Sequence, residues 1–257
     1  SGGIAELSYA KREDGSMVVV RQLLPQYVFR LGLRKRFIRG IRIREAVTPH
    51  PHIVDSLAQG YSKLRPYEII EYAPGYTLAQ LIRENHSFVE ENRIQIFYQA
   101  ATALDHMHKK GYLHLDLKPE NLLLDPSQSE ADIKLTDFDL SHSCKQTSQK
   151  HKGGGTVQYM APEQIQDGVV DQQTDIFSFG ILGYHLFTRR MPFYGETQEE
   201  AQQKQFSNKS NFKAPSEVNP NIHPKVEELI TGCLEKQMEK RLPSMAYVVK
   251  ELERINK

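Results

Sequence analysis

The chain has no tryptophan and only two cysteines, Cys144 and Cys233, in 257 residues. Two thiols are too few for a disulfide framework or a Cys-rich metal cluster, so a reducing cytoplasm is the default compartment. No apolar run approaches the roughly 20 residues of a membrane-spanning helix, and no signal-peptide pattern heads the chain, although a truncated chain would have lost one. An excess of one charge is missing too: 33 Lys and Arg stand against 32 Asp and Glu, for a net +1. Such a balance exerts no whole-protein pull toward nucleic acid or membrane. No internal repeat is found. What is present is ordinary for one globular domain with a sizeable core: 39% hydrophobic and 25% charged residues.

Periodicity puts strands first and helices later. Leu7–Ala10 and Met17–Arg21 read as strands around the turn Glu13-Asp14-Gly15-Ser16, and two more are expected over Val54–Gly60 and Tyr67–Tyr72. Arg30–Val47 reads as a helix, weakened by Gly32 and Gly40. Further helices are expected over Thr77–Glu84, Glu90–Lys110, Thr174–Thr188, His223–Glu235 and Ser244–Asn256. In the second of these, Ile94, Phe97, Ala101, Leu104 and His108 recur at helical spacing, and His106 and His108 read as packing or surface residues, not metal ligands. The polar, Gly-containing stretch Ser141–Gly155 reads as a mobile loop.

Three motifs stand in the second half of this pattern. Gly111-Tyr112-Leu113-His114-Leu115-Asp116-Leu117-Lys118-Pro119-Glu120-Asn121 comes first, then Leu135-Thr136-Asp137-Phe138-Asp139, then Gly155-Thr156-Val157-Gln158-Tyr159-Met160-Ala161-Pro162-Glu163. Each Asp or Asn alone reads as a loop residue or a cap. In this order and spacing the three resemble the catalytic loop, metal-binding loop and substrate-docking segment of the eukaryotic-type protein kinase family, of the Ser/Thr class because of Lys118. The resemblance covers nearly the whole chain and implies an α+β, bilobal fold. A small antiparallel β lobe with one main helix and the hinge would occupy residues 1–74, and a larger, mainly helical lobe residues 75–257.

The resemblance also implies roles. Phosphoryl transfer from ATP depends on positioning and on stabilising charge at the equatorial oxygens. Asp116 would accept or orient the hydroxyl proton, Lys118 would reach the same phosphate, and Thr156 would bond back to both. Asn121 and Asp137 would be the oxygen ligands of Mg²⁺. ATP would meet Gly2 and Gly3 of a partial Gly-rich loop, with Leu7, Val19, Arg21, Ile70 at the gatekeeper position, the backbone of Glu71 and Ala73, and Leu123. Ser1 and Gly2 read equally as a cloning remnant. Glu163 and Arg241 would form a buried ion pair, and Asp175 would anchor the catalytic-loop backbone.

The departures from the family lie mostly in the small lobe. Ala5 replaces the third glycine of the Gly-rich loop, and Arg21 stands where a Lys grips the α- and β-phosphates, a swap that is not conservative at a tight site. Val19 replaces a smaller Ala. Gly40 falls where the main helix carries the acid that pairs with that Lys, and Glu45 is the only acid on the helix, so Arg21 is expected to lack its ion pair. Leu115 replaces the Arg that receives activation-loop phosphate, and Asp139 replaces the metal-loop Gly. Two function classes therefore stand: a Ser/Thr protein kinase with weakened nucleotide positioning, or a pseudokinase acting as a binding, scaffolding or regulatory domain. Its partner would be a protein substrate or regulator. Arg30, Arg34, Lys35, Arg36, Arg39, Arg42 and Arg44 crowd one helix. They read first as a solvated face and second as a docking site for an acidic or phosphorylated partner. Nucleic acid is the weaker option, since no aromatics interleave.

Overall fold

Side chains on a strand alternate between faces, and Arg65–Glu71 shows the consequence: Pro66, Glu68 and Ile70 are buried while their neighbours are less so. The computed structural model describes residues 3–144, 156–166, 168–207 and 212–255. Gly2 and residues 145–155 of the Ser141–Gly155 stretch lie outside the described residues. The chain opens with β1 (Ala5–Lys11) and β2 (Met17–Leu23), an antiparallel hairpin in which Ala5 faces Leu23 and Lys11 faces Met17. Helix α1 (Leu31–Val47) follows, then β3 (Ser56–Ser62) and β4 (Arg65–Glu71). These strands form a four-stranded antiparallel sheet in the order β1-β2-β4-β3. The expected strand from Val54 begins two residues later because Val54 is already committed elsewhere. Its N–H donates to Leu135 O at 3.0 Å, and Leu135 N–H donates to His52 O at 2.9 Å, which ties the segment before β3 to the large lobe.

The large lobe is built on helices. Strand β5 (Tyr76–Thr77) leads into α2 (Leu78–Arg83), whose start is fixed by a capping box between Thr77 and Gln80. Helix α3 (Ser87–Lys109) begins three residues before the expected Glu90, because the His86 ring accepts the Phe88 N–H at 3.2 Å. Then come β6 (Tyr112–Leu113), β7 (Leu122–Leu124), β8 (Lys134–Leu135), β9 (His142–Ser143), α4 (Pro162–Gln166) and α5 (Gln172–Thr188). Helices α6 (Gln198–Phe206), α7 (Pro215–Val218), α8 (Pro224–Cys233) and α9 (Met245–Ile255) complete the described chain. α5 is buried almost all round, as its run of apolar residues dictates. At its crossing with α3, Phe97 stacks on Phe179 with ring centroids 4.2 Å apart. Short strands β5, β7 and β8 form a three-stranded sheet, and β6 pairs with β9. Together they form the floor on which the motif loops sit. One expectation about α1 is corrected here. The Arg run is not a uniformly solvated face, since Arg44 is fully buried and Arg39 turns inward, donating from Nε to Ser141 O at 2.9 Å.

Candidate active site

The loop between β6 and β7 carries Asp116, Lys118 and Asn121, and its backbone is held from below by α5. The buried Asp175 carboxylate accepts N–H groups of both His114 and Leu115, each at 2.8 Å, and the His108 ring bonds the same carboxylate at 2.9 Å. This pinning holds Leu115 in the left-handed region at φ 63°, a conformation that a non-glycine residue keeps only when its surroundings enforce it. Burial pushes the Asp175 carboxyl up, but the His108 bond and the N–H donors outweigh it and hold the group below its ordinary value. Leu115 packs with Leu113 and Val170, and Cys144 lies against that cluster. An apolar contact thus occupies the position where the family carries a phosphate-receiving Arg.

Above this base the polar side chains converge. Lys118 Nζ donates to Asp116 Oδ2 at 2.8 Å and to Thr156 Oγ1 at 3.1 Å, and Asn121 Nδ2 donates to the same Asp116 oxygen at 3.1 Å. Asn121 and Asp137 both line the cleft between the lobes, a cavity of about 410 Å³. Gly3, Leu7, Val19, Arg21, Ile70, Glu71, Ala73 and Leu123 line it too, together with Ile4, Tyr9, Val54, Tyr72 and Asp139, which the sequence did not assign to it. Every expected cofactor residue among the described ones therefore faces one cleft. Its volume falls in the roughly 300–1,000 Å³ range of ligand sites. Asp137 sits at φ 61° and forms no ion pair with any described residue. Glu71 N–H is taken by Asp55 O at 3.0 Å, so at that residue only the carbonyl remains to meet a ligand edge. Among the described residues no group of three or more His, Cys, Asp or Glu side chains holds a metal on its own. A cation at Asn121 and Asp137 would complete its shell with ligand and water oxygens.

The profile of the protein kinase domain matches residues 1–252 of this chain. The chain belongs to the protein kinase family. It is 31% identical over 210 residues to a probable serine/threonine-protein kinase of Clostridium perfringens, covering 81% of this chain and 30% of that protein. The serine/threonine-protein kinase PrkC of Bacillus subtilis is 32% identical over 206 residues, 78% of this chain and 31% of its own length. Yeast Aurora kinase (Saccharomyces cerevisiae) is 28% identical over 219 residues, 85% and 58% respectively. The chain thus spans about a third of the length of its bacterial relatives.

Within this kinase fold the small lobe corrects one expectation. Arg21 does not lack its ion pair. Its Nη1 bonds Glu68, the residue directly opposite on β4, and its Nη2 lies 3.2 Å from Asp139 Oδ1. Glu68 is shared with Arg44, whose Nε is 3.1 Å from the second carboxylate oxygen. Burial works against the Arg21 cation, yet Asp139 and Glu68 together hold its pKa above the usual arginine value. Burial depresses Arg44, which has the single carboxylate partner. Burial also opposes the Glu68 anion, but Arg44 and Arg21 keep its pKa low. Asp139 is pushed up by burial and by the neighbouring Asp137 despite its contact with Arg21. The sequence signal for Glu68 was an acid at a core-facing position of an otherwise apolar alternation, Pro66 to Ile70. Glu163 and Arg241 form the expected buried, two-pronged pair at 2.7 and 2.8 Å.

Proposed function

We propose that this domain binds ATP with Mg²⁺ in the interlobe cleft and transfers phosphate to Ser or Thr hydroxyls of a protein, with small lobe and hinge over 1–74 and large lobe over 75–257. The observation that carries this reading is the convergence of Lys118, Thr156 and Asn121 on Asp116, beside the cleft that Asn121 and Asp137 line. ATP held there would supply the phosphoryl group and Mg²⁺ the charge that offsets its oxygens. Asp116 orients the acceptor hydroxyl and takes its proton. Lys118, fixed by Thr156, places a cation next to that carboxylate. Asn121 and Asp137 hold the metal, Arg21 contacts the phosphates, and Val19, Ile70 and Leu123 form the apolar walls for the base. Partners are protein substrates or regulators. The exposed Lys35 and Arg42 of α1, with Arg30 just before it, offer cationic side chains to an acidic or phosphorylated partner. A cytoplasmic setting fits a chain with only two cysteines.

A second reading, a pseudokinase that binds without turnover, is favoured by one observation: Arg21 replaces a lysine and spends its charge on two buried carboxylates. ATP titration with and without Mg²⁺, followed by phosphotransfer to protein substrates, separates the two. Metal-dependent binding with transfer supports the kinase, binding without transfer supports the second reading, and no binding removes both nucleotide roles.

A further inference from the structure

Among the described residues both ion-pair partners of Arg21 come from outside helix α1, which contributes the Phe37 ring, 5.4 Å from the Arg21 Cζ. Glu68 is one, from the sheet, and Asp139 is the other, from the metal loop. The resemblance puts the family's helix acid at Gly40, and the space a side chain would need there is already filled. A Cβ on Gly40 would stand 3.0 Å from the Phe138 carbonyl oxygen and 3.1 Å from Asp139 Oδ1. Around that contact α1 grips the loop: Arg39 Nε donates to Ser141 O at 2.9 Å, and Arg44 lies with Cζ 4.7 Å from the Phe138 ring centroid. We infer that Gly40 and Asp139 are two halves of one device: the carboxylate that positions Arg21 is delivered by the metal loop instead of by helix α1, with Glu68 as a second, sheet-borne partner.

The device accounts for the arginine. A guanidinium is a planar fork with five N–H donors, so it spans two carboxylates from different elements and keeps donors for a third group. A lysine ammonium concentrates its charge at one point and bridges them less well. It also moves the control point. If the metal loop swings away, Arg21 loses one of its two carboxylate partners, whereas a shift of α1 reaches its ion pairs only indirectly, through the Arg39 grip on the loop and the Arg44 bond to Glu68. Asp139 and Glu68 are thus positioning residues, and the inference rests on the reading of the cleft as a nucleotide site.

The test is a double-mutant cycle on nucleotide affinity. ATP with Mg²⁺ is titrated calorimetrically into the unmodified chain, Asp139→Asn, Arg21→Ala and the double variant, with a parallel cycle using Glu68→Gln. Thermal midpoints are recorded for every protein. Removing the Asp139 charge also changes repulsion of the phosphates, but that effect is common to both backgrounds and cancels in the cycle. The expected result is a coupling on the order of tenfold in affinity, the scale seen for contacting charged residues: Asp139→Asn weakens binding when Arg21 is present and not when it is Ala. Equal effects of Asp139→Asn in both backgrounds overturn the inference while leaving the nucleotide reading intact. If the unmodified chain binds no ATP at millimolar concentration, with or without Mg²⁺, the nucleotide reading fails and takes the positioning role with it. The thermal cycle then decides the pairing itself, with coupled losses supporting a loop-borne partner for Arg21 and additive losses excluding it.

Discussion

A glycine inside a helix costs roughly 0.5–1 kcal/mol relative to alanine, and helix α1 carries two of them with opposite surroundings. Nothing lies within 4 Å of a Cβ built on Gly32, whereas one on Gly40 meets the backbone oxygen of Phe138 at 3.0 Å. Backbone gives way less readily than the end of a flexible side chain, so overpacking of about 1–3 kcal/mol outweighs the helix gain at Gly40. Gly40→Ala is therefore expected to lower the denaturant midpoint, and Gly32→Ala to raise stability by about 0.5 kcal/mol. Gly40→Glu should lose stability without improving nucleotide affinity, because the Phe138 carbonyl and Asp139 already fill the space beside Gly40. A gain in affinity from Gly40→Glu would contradict this. At this scale the sequence was legible where the family resemblance marks the partners, whether close in the chain or, like Glu163 and Arg241, 78 positions apart. Asp116, Lys118 and Asn121 lie within six residues of each other, and their grouping follows from one loop. The Arg21–Glu68 pair spans 47 positions and depends on the β2–β4 register, which a single sequence does not specify.

Among the elements, α4 is short, and the Glu163–Arg241 pair is its one ion pair to the rest of the lobe among the described residues. Arg241→Ala leaves the Glu163 carboxylate buried without its cation, and a loss of about 3–5 kcal/mol is expected. An unchanged midpoint in chemical denaturation would show that the pair contributes nothing. A second test concerns His50, which follows α1 and packs its ring 4.6 Å from that of His106 on α3. Burial, together with His106, His52 and Lys134, lowers its pKa from 6.5 to about 4. Between those values the unfolded chain binds a proton that the folded chain refuses, so stability falls as pH drops from 6.5 toward 4. The Asp175 carboxyl, also held low, adds a loss in the same direction as pH falls through its own range. Thermal midpoints measured from pH 7 to pH 4.5 should decline, and His50→Gln should flatten the upper part of the decline. An identical profile in the variant would exclude His50. Long periodic helices such as α3 and α5 were readable to within a few residues of their ends. Helices α4, α6 and α7 were not, since they are short or polar and owe their existence to what they pack on.

For the whole molecule, the two-lobe plan was legible because strands and helices segregate along the chain around Tyr72–Gly75. What escaped the sequence was how the lobes are joined. The His52–Val54 segment bonds to Leu135, and Arg21 reaches Asp139, so the charge that faces the cleft is coupled to the Asp137–Asp139 loop through space. The central claim is that this cleft, despite its altered small lobe, positions a nucleotide for transfer by Asp116. The most direct measurement is single-turnover phosphotransfer from radiolabelled ATP with Mg²⁺ to a protein acceptor, run on the unmodified chain and on Asp116→Asn. The account predicts slow, Mg²⁺-dependent labelling of Ser or Thr that falls by at least about a hundredfold in Asp116→Asn, the scale of a lost general base. Labelling that persists undiminished in Asp116→Asn, or nucleotide binding with no labelling at all, would contradict it.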